Sequence, residues 1–111
     1  IPSWTLGRVT LLGDAAHPML QYIAQGACQA LEDAVCLGQA LAAHADARLA
    51  FAQYESQRVP RTARVQQTAR FFGEVKHLDG AGRAVRNALL EQRAPDDFRY
   101  FDFLYGHRPT A

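Results

Sequence analysis

Asp14 stands directly after the apolar run Val9–Leu12 and Gly13, and Gln25-Gly26-Ala27-Cys28 opens a helical pattern downstream of it. A helix start leaves backbone N–H groups without intrahelical partners, and a glycine there lets a ligand reach the backbone. An ionised carboxylate accepts hydrogen bonds and donates none. Placed together, the two features suit a polyhydroxylated, partly anionic small molecule. The carboxylate would take a hydroxyl. The N–H groups of Gly26, Ala27 and Cys28 and the helix dipole would take the negative charge, worth about 0.3–1 kcal/mol and up to about 2 when partly buried.

Each of these residues also has a plainer reading. Asp14 is equally a turn or N-cap aspartate, and Gly26 an ordinary glycine before a helix. His17-Pro18 either presents an imidazole at the site or packs and caps the turn. Gln21 lies in an apolar loop with Met19, Leu20, Tyr22 and Ile23, so its amide needs a partner, a ligand or a backbone group. Glu32-Asp33 read as structural, one of them bridging to an arginine of a later helix. Arg58, Arg61, Arg64 and Arg70 read as a solvated helix face. Gly80-Ala81-Gly82 is part of a dinucleotide-binding pattern, yet it lacks the third glycine and a preceding strand. The aromatic run Phe98, Tyr100, Phe101, Phe103 and Tyr105 reads as packing.

The elements that would position these residues follow from local pattern. Ile1–Gly7 is an extended approach. Val9–Leu12 fits a strand buried on both faces. Ala15–Gln25 is a loop. From Gly26 to about Ala43, Ala27, Leu31, Ala34, Val35, Gly38 and Leu41 recur at helical spacing and predict one buried stripe. Asp46 is a candidate N-cap for a helix over 47–58. Pro60 predicts a kink or a new helix start before the pattern resumes through Phe72. Gly73, Gly80 and Gly82 punctuate a loop, and helices are expected over 83–92 and 95–104. A lone strand cannot satisfy its own edges. The chain therefore reads as a piece of something larger.

Composition narrows the classes. With 49% apolar residues in 111 the chain can build a core, and 12 basic against 11 acidic residues call for neither nucleic acid nor an anionic membrane. No apolar run spans a bilayer and no signal peptide is visible. Cys28 and Cys36 lie about 12 Å apart along a helix at 1.5 Å per residue, too far for a disulfide. They read as buried thiols in a reducing compartment, which points to the cytoplasm. No histidine or cysteine spacing suggests a metal.

Taken as a whole, the segment RVTLLGDAAHPMLQYIAQGACQALEDA (residues 8–34) resembles the second FAD-binding motif of the single-component flavoprotein aromatic hydroxylases, with the GD, HP and QG elements in order and spacing. YESQRVPRTARVQQ is similar to that family's long helix. The resemblance implies a mainly α fragment of an α/β FAD-binding, glutathione-reductase-like fold: one buried strand, a long helix and further helices. Residues 1–45 would be the strand–loop–helix of the motif and 46–111 a helical C-terminal region. It implies that Asp14 binds the ribityl chain, that Gln25, Gly26, Ala27 and Cys28 meet the flavin, and that Pro18 and Gln21 lie on the flavin and substrate side. It implies NADH or NADPH as co-substrate and O2 as oxidant. A flavin C4a-hydroperoxide would hydroxylate a phenolic aromatic acid of the 3-hydroxybenzoate or salicylate type. The family's first motif, its GxGxxG turn, is absent from these residues, so the chain alone is expected to be inactive and to need the remainder of its polypeptide, with a homo-oligomer as a further possibility. The alternative is a helical interaction module that keeps the motif without binding flavin.

Overall fold

Gly7 sets the first turn. A computed structural model describes residues 3–109, so the expected approach through Ile1 and Pro2 lies outside the described residues. Strand β1 (Thr5–Leu6) pairs antiparallel with β2 (Val9–Thr10), Thr5 opposite Thr10 and Leu6 opposite Val9. Gly7 has φ +61° and Arg8 does not share the positive φ. That is the pattern of a two-residue hairpin turn of the II′ type, which wants glycine first. The expected strand over Val9–Leu12, buried on both faces, is therefore corrected. Only Val9–Thr10 is strand, Val9 is exposed, and no other strand lies beside the hairpin among the described residues.

The loop expected over Ala15–Gln25 is entered by one single turn of 3-10 helix, Gly13–Ala15, and contains another, Gln21–Ile23. Helix α1 follows as Gly26–Ala43, as its periodicity predicts. Helix α2 is Ala47–Lys76, and Asp46 caps it by accepting the Arg48 N–H at 2.9 Å. Pro60 lies inside α2, on its exposed side, and the helix continues past it. No new helix starts at Pro60, because its missing N–H and its ring both fall on the solvent face. Gly73, expected in a loop, is buried inside α2 for a packing reason: a Cβ there would come within 2.4 Å of the Tyr22 ring. Helix α3 begins at Gly80 and ends at Glu91, and the helix expected over 95–104 is reduced to the single turn α4, Asp102–Tyr105.

Helices α1 and α2 form an antiparallel hairpin through the short His44–Asp46 link, and the core lies along their seam. One cluster gathers Trp4, Ala16, Cys36, Ala40, Ala50 and Tyr54. The Tyr54 hydroxyl donates to the Leu11 carbonyl at 3.1 Å, and burial pushes this phenol far up, so it stays neutral. A second cluster gathers Ile23, Val65, Ala69 and Leu104, with Phe72, Phe101 and Phe103 against it. Of the aromatic run, Phe101 and Phe103 pack here, whereas Phe98, Tyr100 and Tyr105 are exposed.

The stripe expected to be buried on α1 faces outward. Leu31 is 69% exposed, and Val35 and Leu41 are also open. The buried positions are Gln29, Asp33, Cys36 and Ala40, the same period turned to the other side. The reason is ionic. The charged arginines of α2 draw Glu32 and Asp33 inward, and the apolar stripe stays largely open, with Leu104, Tyr105, His107 and Pro109 lining a groove beside Leu31 and Val35. Cys36 is buried as expected, whereas Cys28 is exposed, and both thiols are free. No helix is long and apolar enough to cross a membrane among the described residues.

Candidate functional site

Asp33 is the residue on which the site is built. It is fully buried on α1 and uses both oxygens. Oδ2 accepts the Gly13 N–H at 2.9 Å and faces His17 Nε2 at 2.5 Å, while Oδ1 accepts Arg58 Nε at 2.7 Å. Arg58 also donates to Glu32 Oε2 at 2.6 Å and to the carbonyl and side-chain oxygens of Gln29 at 3.2 and 2.8 Å. Arg61 reaches both Glu32 oxygens and the Phe103 and Leu104 carbonyls. The plain reading of Glu32-Asp33 as partners of later arginines thus holds. The reading of Arg58 and Arg61 as solvated does not: they are drawn in because two buried carboxylates need cations. Arg64 stays out, with its guanidinium over the Phe103 ring at 3.8 Å, and Arg70 is exposed.

The protonation states follow. Burial alone would raise Asp33, but hydrogen bonds from His17, Arg58 and the Gly13 N–H outweigh it and hold the carboxyl below its usual value. Burial likewise opposes Glu32, and Arg61 and Arg58 hold it down. His107 lies 3.6 Å from Glu32, yet burial and then the Arg61 charge depress its pKa, so it is mostly neutral near pH 7. His17 packs its ring on Trp4, 5.3 Å between centroids, which agrees with the packing reading of this histidine. Its Nδ1 is buried and has no partner among the described residues.

This network lies under the residues singled out by the sequence. The Gly13 carbonyl accepts from the N–H groups of both Ala16 and His17 at 2.9 Å, making a tight turn that carries Asp14 outward. Asp14 Oδ1 comes within 3.8 Å of where a Cβ on Gly26 would stand. The turn and the start of α1 are therefore side by side. Ala27 and Cys28 are exposed, and the N–H groups at this helix start have no acceptor among the described residues. Ala24, just before it, holds φ +52°, the one positive φ at a non-glycine among the described residues. That left-handed geometry costs a residue with a side chain roughly 1 kcal/mol. Gln25 caps the helix by position, but its side chain is buried and its Oε1 faces Gln29 Nε2 at 3.5 Å.

Pro18 and Gln21 are both exposed. The Pro18 carbonyl accepts from Gln66 Nε2 at 2.8 Å, which ties this loop to α2. A groove of about 240 Å³ runs between Pro18, Met19 and Leu20 on one wall and Gln66 and Arg70 on the other. The Gln21 amide has no protein partner among the described residues. Arg58 is the site residue that sequence reasoning missed. Its signal was the pairing of Arg58 and Arg61, one helical turn apart, with the adjacent Glu32 and Asp33.

A family model described as "FAD binding domain" matches residues 1–69. The chain belongs to this family. Among curated relatives, the chain is 53% identical to "3-hydroxybenzoate 6-hydroxylase" of Klebsiella oxytoca, over 96% of this chain and 27% of that protein. It is 51% identical to "3-hydroxybenzoate 6-hydroxylase 2" of Aquipseudomonas alcaligenes, over 96% and 34%. It is 48% identical to "3-amino-4-hydroxybenzoate 2-monooxygenase" of Streptomyces cremeus, over 93% and 26%. The chain thus spans about a quarter to a third of the length of these relatives.

Proposed function

We propose that this chain forms the flavin-facing segment of a FAD-dependent monooxygenase that hydroxylates a phenolic aromatic acid of the 3-hydroxybenzoate type. The observation that carries this reading is the juxtaposition of the Asp14 carboxylate with the open N-terminus of α1. The residues present fit the cofactor. Gly26 leaves the approach clear, the exposed helix start supplies donors for a negatively charged ring edge, and Asp14 is an exposed acceptor for a ribityl hydroxyl. The names of the relatives support the substrate class.

In this reading Asp14 binds the ribityl chain, and the N–H groups of Gly26, Ala27 and Cys28 stabilise charge on the pyrimidine edge. Gln25 acts by setting the helix start, since its side chain is turned inward. Pro18 presents an apolar wall toward the flavin ring, and Gln21 offers its amide to the substrate. When bound, FAD reduced by NADH or NADPH activates O2 so that one oxygen atom passes to the ring. The chain by itself holds few of the contacts a dinucleotide needs. A helix terminus worth at most about 2 kcal/mol falls far short of the roughly 8 kcal/mol of micromolar binding.

The test is FAD titration of the complete protein. Asp14→Ala is expected to weaken FAD binding by roughly 1.5–3 kcal/mol with little change in substrate affinity. Gln21→Leu is expected to alter coupling or substrate affinity and leave FAD content alone. Unchanged FAD affinity in Asp14→Ala would remove the assignment. The second reading, a packing module without flavin, draws on the uncovered stripe of Leu31, Val35 and Leu41. A complete protein that purifies without visible flavin absorbance and takes up no added FAD would favour it.

A further inference from the structure

Asp14, the residue proposed to hold the flavin side chain, has no side-chain hydrogen bond to protein among the described residues. Its place is set entirely by the Gly13–His17 turn. That turn is gripped at both ends by a single atom, Asp33 Oδ2, which takes the Gly13 N–H at 2.9 Å and faces His17 Nε2 at 2.5 Å. The other oxygen, Oδ1, is fixed by Arg58 from α2 at 2.7 Å. The same guanidinium holds Gln29 by its carbonyl and side-chain oxygens, and Gln29 in turn meets Gln25 at the start of α1. One buried carboxylate and one buried arginine therefore set both halves of the site, the turn and the helix start, relative to each other.

We infer that Asp33, oriented by Arg58, is a positioning residue for cofactor binding: it holds the turn at the distance from the α1 N-terminus at which Asp14 and the helix start engage the same flavin. A seam that needed only stability would be served as well by apolar packing, because a buried ion pair gains little over well-packed hydrophobic residues. What an ion pair with three directed hydrogen bonds adds is a fixed angle and distance. Those are what a two-part binding site requires. Asparagine at position 33 would keep one oxygen but place an N–H2 group where an acceptor is needed, against Arg58 or against Gly13 and His17. The turn would then shift relative to α1 while both helices remained. This inference rests on the proposed flavin site.

The test uses the complete protein, purified without FAD and titrated with it, following flavin fluorescence and the shape of its visible absorption band. Asp33→Asn is compared with Arg86→Ala, which removes the hydrogen bonds to the Val75 and Lys76 carbonyls at the far end of α2. Asp33→Asn is expected to raise the FAD dissociation constant ten- to hundred-fold and to shift the band at saturating FAD. Arg86→Ala is expected to lower the melting temperature with FAD affinity and band unchanged. Should Asp33→Asn fail to fold, Arg58→Lys keeps the charge but loses the fork. It is expected to give a smaller loss in the same direction. Native affinity and an unshifted band in Asp33→Asn, or in Arg58→Lys where that is the variant measured, would overturn the inference. So would an equal loss of affinity in Arg86→Ala. Wild-type protein that binds no FAD would instead defeat the function on which the inference rests.

Discussion

The α1–α2 seam and the arm formed by α3 are both helical, yet they are held in different ways. In the seam, charged groups are drawn inward and two neighbouring carboxylates share cations: Asp33 with Arg58, and Glu32 with Arg58 and Arg61. In α3 no residue is buried, and Val85, Leu89 and Leu90 stand open. The arm is fastened by Arg86, whose Nη1 donates to the Val75 and Lys76 carbonyls at 3.1 and 3.0 Å and so caps the end of α2. The difference separates hydrophobic pattern from burial. The strongest amphipathic pattern lies where nothing packs, and the tightest packing lies where the sequence is charged.

The comparison breaks most sharply at Arg58. Arg58→Met leaves Asp33 buried without its cation and is expected to cost about 3–5 kcal/mol in denaturant unfolding. A cost below about 1 kcal/mol would show that the seam does not depend on the pair. Gly73→Ala comes next. Its Cβ would press on the Tyr22 ring, and a loss of about 1–3 kcal/mol is expected, with the edge contact of Tyr22 on His77 disturbed.

Acid tests the seam without mutation. Asp33 and Glu32 are both held below their ordinary values. A carboxyl depressed in the folded state contributes stability that is complete above its unfolded pKa and is lost as pH falls through its folded one. Unfolding free energy should therefore hold steady near neutrality and drop below about pH 4. Asp33→Asn should flatten that drop, and an unchanged acid slope in this variant would count against the assignment.

The arm should respond least. Arg86→Ala is expected to cost about 0.5–1.5 kcal/mol by uncapping α2. Val85→Glu, on the open face of α3, should stay within about 0.5 kcal/mol in the isolated chain. A large loss there would mean that α3 packs in solution.

The legible parts of the sequence were those fixed by local chemistry. Asp46 announces its helix through its side chain, and Gly26 announces the start of α1. The proximity of Asp14 to that start, which the sequence reading assumed in giving both to one ligand, is set by the Gly13–His17 turn and the Asp33 contacts that hold it. Which face of α1 is buried was not legible. Leu31, Val35 and Leu41 signal a core by hydropathy, but hydropathy does not say which partner is present, and Arg58 and Arg61 take the opposite face. Pro60 does not start a helix of its own, because its side of α2 is exposed. Gly73 misled because a glycine in a helix marks a close approach as readily as an end.

The long α2 and the arm beyond it also shape the whole particle, which measures 55 × 27 × 17 Å with a radius of gyration of 17.2 Å. A compact chain of this length would have about 13 Å, and 17.2 Å is the value for a compact chain of about 220 residues. In small-angle scattering or on a sizing column calibrated with spheres, one copy would therefore pass for two. Mass measured directly by light scattering is what distinguishes a long monomer from a dimer.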